Sequence, residues 1–207
     1  RQMCIRDSMW AMEYSRDEGL RKYWDEYSYP YHKEGAGPLY RGKDASDYNH
    51  NQDMLAVENI RRWFDYWQER PGTGTRISSG GVKIIFSDTN THFRGEENYR
   101  RSGVTDAMRI PKDAFYAHQM MWDGWVDIEQ PRIHIIGHWN YKEDVIKPVY
   151  VVSGADKVEL FLNGKSLGEG EREYHFLYTF KDVQFETGKL EAIGYDETVS
   201  YTHLRAH

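Results

Sequence analysis

Apolar residues recur at Ala56, Ile60, Trp63 and Trp67, with Val57 and Phe64 beside them. That three-and-four spacing predicts a helix over Asp53 to Arg70, capped by Asn51 or Asp53 and stopped at Pro71-Gly72. Met9 to Glu13 is a short apolar run ending in a carboxylate and reads as a buried strand opening onto a site. Tyr14 to Gln52 is rich in Tyr, Gly, Asp and Lys, turns at Gly35 to Pro38, and has one helical stretch, Leu20 to Tyr27. A decorated loop of that length usually carries function. Gly72 to Gly81 reads as a polar loop. Val82 to Phe86 is a β-branched strand that runs into Ser87-Asp88-Thr89-Asn90. Helix, loop and buried strand with polar residues at its C-terminal end make the half-unit of an α/β barrel. Pro111 to Met121 predicts a further helix with Pro in its first turn.

Beyond Trp125 the period changes from helical to alternating. Strands are predicted over Ile133 to Gly137, Val149 to Ser153, Lys157 to Leu162, Phe176 to Phe180 with Val183 to Phe185, and Lys189 to Tyr195. Asn163-Gly164 is a hairpin turn because both positions tolerate positive φ. Strands about ten residues apart without helices point to a β-sandwich. The domain boundary falls near Gln130-Pro131.

Composition narrows the possibilities. Seven Trp, sixteen Tyr and eight Phe in 207 residues supply the core of a folded protein and exclude disorder. Lys and Arg number 27 against 33 Asp and Glu, and they are scattered, so no basic stripe exists to track nucleic acid. No apolar run approaches the roughly 20 residues that cross a bilayer. The single cysteine, Cys4, excludes an internal disulfide and a cysteine-based zinc site.

The two ends read differently from the rest. Residues 1–8 back-translate as CGT CAG ATG TGT ATA AGA GAC AG, and the reverse complement of ATG to GAC is GTC TCT TAT ACA CAT. Those codons encode Val199 to His203. Both ends therefore fit one DNA element in opposite orientations, resembling a transposase adapter from sequencing libraries read as coding sequence. The expectation is that 1–8 and 199–207 are adapter, that 9–130 and 131–198 are the two natural domains, and that both are cut from a longer gene. The location of that parent protein in the cell stays open.

Several chemistries drop out. Gly72 to Gly81 has the glycine density of a phosphate cradle but follows a helix and lacks the Gly-Lys-Ser/Thr ending. His134 and His138 lie four apart in a predicted strand without carboxylate or cysteine partners at ligand spacing, so sandwich packing is favoured over metal. No Gly-x-Ser-x-Gly elbow exists for a serine hydrolase. Carboxylates remain: Glu13 and Asp88 each close a candidate strand, where barrel enzymes place catalytic groups. Asp88 to Tyr99 brings carboxylate, amide, imidazole and guanidinium groups into one short loop. With abundant Trp and Tyr, that is the mixture a sugar site needs: polar forks for vicinal hydroxyls and flat rings for the C–H side of a pyranose.

These residues resemble glycoside hydrolase family 2, the family of β-galactosidases, β-glucuronidases and β-mannosidases. Ser78 to His92, SSGGVKIIFSDTNTH, with Arg100 to Tyr116, RRSGVTDAMRIPKDAFY, is similar to the last strand and helix of the family's barrel. Lys147 to Ser153, KPVYVVS, with Val158 to Gly168, VELFLNGKSLG, is similar to the immunoglobulin-like sandwich that follows it. The resemblance implies the C-terminal portion of a (β/α)8 TIM barrel followed by an immunoglobulin-like β-sandwich. It implies a fragment of a retaining exo-β-glycosidase, a β-galactosidase first, with carbohydrate as partner and no cofactor or metal. Met12-Glu13-Tyr14 ahead of Arg21 to Trp24 matches the family's nucleophile motif, which assigns Glu13 as nucleophile with Tyr14 beside it at the substrate. Asp88, Asn90 and His92 are the candidates for hydroxyl binding. The family's acid/base lies in an Asn-Glu pair, and no such dipeptide occurs here, so that partner is expected upstream and the fragment alone is expected to be inactive. The competing expectation is a non-catalytic carbohydrate-binding or structural sandwich on a barrel without activity.

Overall fold

The computed structural model describes residues 8–14, 18–20, 27, 49–51, 56–61, 64, 77–83, 85–89, 103–126, 131–196 and 205–206. In the first half, β1 (Ser8–Tyr14) pairs in parallel with β4 (Ile77–Lys83), Ser8 opposite Ile77 and Tyr14 opposite Lys83, with register shifts on both sides of Ala11. A second parallel pair joins β2 (Glu18–Leu20) to β3 (Asn49–Asn51). Helix α1 covers 56–61, and Phe64 is helical too, within the range its spacing predicts. Helix α2 (Asp113–Val126) follows β4. Parallel strands need a crossover between them, and α1 lies in the chain between β1 and β4.

Two expectations shift here. Leu20 closes a strand and Tyr27 sits in a turn, so those two described ends of the predicted 20–27 helix are not helical. Strand β4 begins at Ile77 inside the predicted polar loop and ends at Lys83, before the predicted strand's end at Phe86. Its Ser-Ser-Gly-Gly stretch has poor strand propensity, and pairing with β1 overrides it. Pro111 is not in α2; it makes a β-bridge to Thr105, and the helix starts two residues later.

The second half builds two antiparallel four-stranded sheets. One runs β5 (Ile133–Ile135), β6 (Ile146–Ser153), β10 (Leu177–Gln184), β9 (Glu171–Glu173). The other runs β12 (Arg205–Ala206), β11 (Leu190–Tyr195), β7 (Lys157–Leu162), β8 (Lys165–Glu169). Alternation sets the faces. Val149 and Val151 of β6, Val158, Leu160 and Leu162 of β7, Tyr178 and Phe180 of β10, and Leu190 and Ala192 of β11 form the core between the sheets. Val152 and Leu177 point the other way and join Phe176, Ile136, α1 and α2 in a second core through Ala56, Val57, Ile60, Ala117, Met120 and Met121. The inner sheet is thus covered on both faces.

Asn163 and Gly164 take φ of 52° and 79° in the β7–β8 turn, as their sequence predicts. The predicted pair of short strands at 176–180 and 183–185 is one strand, β10, carrying a bulge between Phe180 and Val183. The extra residue, with Asp182 at φ 53°, resets the alternation so that Val183 joins Tyr178 and Phe180 on the inner face. Strands β8 and β9 are almost wholly exposed edges with no apolar pattern to announce them.

Candidate active site

The chain leaves β4 and passes through 85–89, where two strands of backbone meet. Thr105 N donates to Phe86 O (2.9 Å), Asp88 N to Thr105 O (3.0 Å) and Val104 N to Ile85 O (3.3 Å). Ser87 Oγ donates to Asp106 O at 2.8 Å. Asp106 Oδ1 in turn accepts from Met108 N and Ile110 N, closing a turn in which Arg109 has φ 64°. Gly103 is enclosed by this meeting: a Cβ there would run into the backbone of Ser87, Asp88 and Thr105. Only glycine fits so close an approach.

Asp88 is the centre of the arrangement. Its Oδ1 accepts from Gly103 N (2.9 Å), and Lys112 Nζ reaches Oδ1 at 2.9 Å and Oδ2 at 2.8 Å. The Lys112 side chain is fully enclosed, while that of Asp88 retains 15% exposure. Burial pushes the Asp88 carboxyl above its ordinary value; the Lys112 ammonium and the Gly103 N–H pull it back without cancelling the rise. The carboxylate expected to bind sugar hydroxyls is therefore already held by three donor contacts. Chemically it closes the base of the segment between Asp88 and Gly103.

Lys112 sits immediately before α2, its carbonyl accepting from Phe115 N at 2.9 Å. A cation at a helix N-terminus opposes the macrodipole and needs a counter-charge, which Asp88 supplies. Next to it, Asp113 in the first turn of α2 ties the helix to the sandwich. Its Oδ1 lies 2.8 Å from His134 Nε2, and Gly137 N donates to its Oδ2 at 3.2 Å. The His134 ring stacks on Tyr116 with centroids 3.9 Å apart. His138 instead stacks on Tyr141 at 4.5 Å, so the two histidines face different partners. Among the described residues no group of three His, Cys, Asp or Glu is placed to hold a metal.

The remaining sequence candidates divide as follows. Glu13 and Tyr14 are the last two residues of β1, and the pairing of Tyr14 with Lys83 puts that strand end beside the end of β4, five residues before Asp88. Asn90 and His92 lie outside the described residues. Sequence reasoning missed Lys112 and Gly103. A lysine opening a helix against its dipole was the one available signal for the first.

Comparison with known proteins adds the next constraint. Residues 144–200 match the family model described as "Domain of unknown function (DUF4982)". A β-glucuronidase of Formosa agariphila is 34% identical over 202 residues, covering 93% of this chain and 19% of that protein. The solved structure of a β-glucuronidase from glycoside hydrolase family 2 is 30% identical and superposes with a TM-score of 0.68, over 96% of this chain and 20% of that one. The similarity is to β-glycosidases. A β-galactosidase of Bacteroides ovatus is 32% identical over 93 residues, 44% of this chain and 10% of that protein. The chain spans about a fifth of the length of the β-glucuronidases it matches.

Proposed function

We propose that this chain is the C-terminal part of the (β/α)8 barrel, with the following immunoglobulin-like sandwich, of a retaining exo-β-glycosidase that removes terminal β-linked sugars. On this reading the natural segment is 9–198 and the flanks 1–8 and 199–207 are adapter. The observation that carries it is similarity to a β-glucuronidase along 93% of the chain; the parallel register that sets Glu13 beside the exit of β4 is consistent with it. Glucuronide is the first substrate class, because a relative matching 93% of the chain is a β-glucuronidase. Galactoside is the second, from the β-galactosidase matching 44% of it.

In the mechanism Glu13, ionised, attacks the anomeric carbon to form a glycosyl-enzyme. A second carboxyl about 5 Å away protonates the leaving oxygen and then activates the water that releases the sugar. That second group comes from outside this chain. Tyr14, Asn90 and His92 contact the sugar. Asp88, its oxygens engaged by Lys112 and Gly103, acts by holding 85–89 against 103–105 rather than by reaching the substrate.

The test is hydrolysis of aryl β-glucuronide, β-galactoside and β-mannoside by the full-length parent enzyme and its Glu13→Gln form. A loss of several orders of magnitude in kcat, with folding intact, supports Glu13 as nucleophile, and the preferred substrate fixes the sugar. An active parent whose variant keeps its rate removes Glu13 from the role. A folded parent inert on all three substrates favours the non-catalytic module.

A further inference from the structure

We propose that the sandwich carries a binding site for a single pyranose ring, in the hollow between the segment after β5 and the turn before β11. The hollow has a volume of about 330 Å³, at the lower end of the range of about 300–1,000 Å³ for small-ligand pockets. It suits one ring with its water better than an extended cofactor. Ile135 and Leu190 supply its apolar lining, Trp139 an indole, and His138 and Lys189 its polar groups. A pyranose has the same division, with apolar C–H on its faces and hydroxyls around its edge. An indole beside polar side chains meets both parts at once.

The lining is fixed before any ligand arrives. Trp139 is held by its Nε1–H, which donates to Glu186 O at 3.1 Å, and by Phe185 and Tyr141, whose ring centroids lie 5.2 and 5.9 Å from the indole. The opposite wall is pinned by Asn163. Its N donates to Lys189 O (2.9 Å), its Nδ2 to Thr187 O (3.2 Å), and its Oδ1 accepts from Lys189 N (2.9 Å). Gly188, at φ 142°, packs so closely on Asn163 that a Cβ would collide with its side-chain amide. The Lys189 ammonium lies 2.8 Å from Glu191 Oε1, an ion pair that fixes the Lys189 side chain. His138 keeps its ring stacked on Tyr141. Walls that do not have to be ordered on binding save the entropy that weak, small ligands cannot supply.

This site does not rest on the proposed glycosidase activity. The test titrates the full 207-residue chain with methyl β-D-glucuronide and methyl β-D-galactoside, observed by saturation-transfer NMR on the sugar. Trp139→Ala is expected to weaken binding at least tenfold, and His138→Ala severalfold without touching the packed indole. Lys165→Ala, on the exposed edge strand β8, is expected to leave binding unchanged. The proposal is overturned if neither sugar binds, if the Trp139 and His138 variants both bind like the parent chain, or if phenol displaces the sugar completely. It is equally overturned if Glu13→Gln alone abolishes binding, a result that moves the sugar to the candidate active site and leaves the glycosidase reading standing.

Discussion

Lys112 and Asp88 form an ion pair taken almost entirely out of water, and such a pair adds little to stability as a whole while being costly to break. Lys112→Ala leaves a buried carboxylate with one N–H for company. The expected loss is about 3–5 kcal/mol in urea unfolding, and the double change Lys112→Met with Asp88→Asn is expected to recover much of it. A single variant that unfolds at the parent's midpoint shows that the pair holds nothing. Tyr178 poses a different electrostatic case. Its hydroxyl donates to Ala155 O at 2.5 Å within the inter-sheet core, and burial pushes the phenol from 10.0 to about 12. The folded chain therefore holds that proton more tightly than the unfolded chain does. The contribution is full below pH 10 and is lost as pH rises through 12. Tyr178→Phe should flatten that part of the alkaline stability profile while costing about 1 kcal/mol at neutral pH for the lost hydrogen bond. Stability measured by urea at pH 7, 10 and 11.5 separates the two effects.

At the level of elements, the strands with a buried inner face were readable because Val158, Leu160 and Leu162 alternate with polar or outward residues. β8 was not, since all five of its residues are exposed and only pairing to β7 makes it a strand. β4 was misplaced for the same reason in reverse: its glycines and serines signal a loop until a partner strand fixes them. The candidate site followed this division. Asp88 is legible as a polar residue after the predicted 82–86 strand, but its partner lies 24 residues on and its backbone contact 15 residues on, separations that local pattern does not span. The β7–β8 turn is the element where sequence and structure agree most closely, and it offers a direct test. Asn163→Ala places a less tolerant residue at φ 52° and removes both side-chain bonds to 187–189. The expected cost is about 2 kcal/mol, read as a lower midpoint in thermal unfolding. An unchanged midpoint means the turn is set by the strands rather than by its residues.

The described residues of α1 and α2 pack against the inner sheet, with the outer sheet beyond it. Phe64 packs edge-on to Tyr174 and Phe176 at 6.0 Å each, and Arg61 Nη2 meets Glu173 Oε2 at 3.3 Å, so α1 grips the β9–β10 turn. Asp113 grips β5 from α2 through His134. A boundary drawn at residue 130 therefore separates two stretches of chain that share one core. Cutting there exposes Ile136, Val152, Phe176 and Leu177, each at 5% accessibility or less in the intact chain, and each worth about 1.5–3 kcal/mol of burial. A sandwich of under 80 residues has a margin of only about 3–5 kcal/mol from its own core. The excised 131–207 segment, which keeps β12, is expected to melt at least about 15 °C below the full chain, since about 1 kcal/mol moves a domain of that size by 4–8 °C. It should also bind a hydrophobic dye that the full chain excludes. Equal melting temperatures without dye binding would show that the helical layer only rests on the sheet, and that the sandwich completes its fold from its inter-sheet core alone.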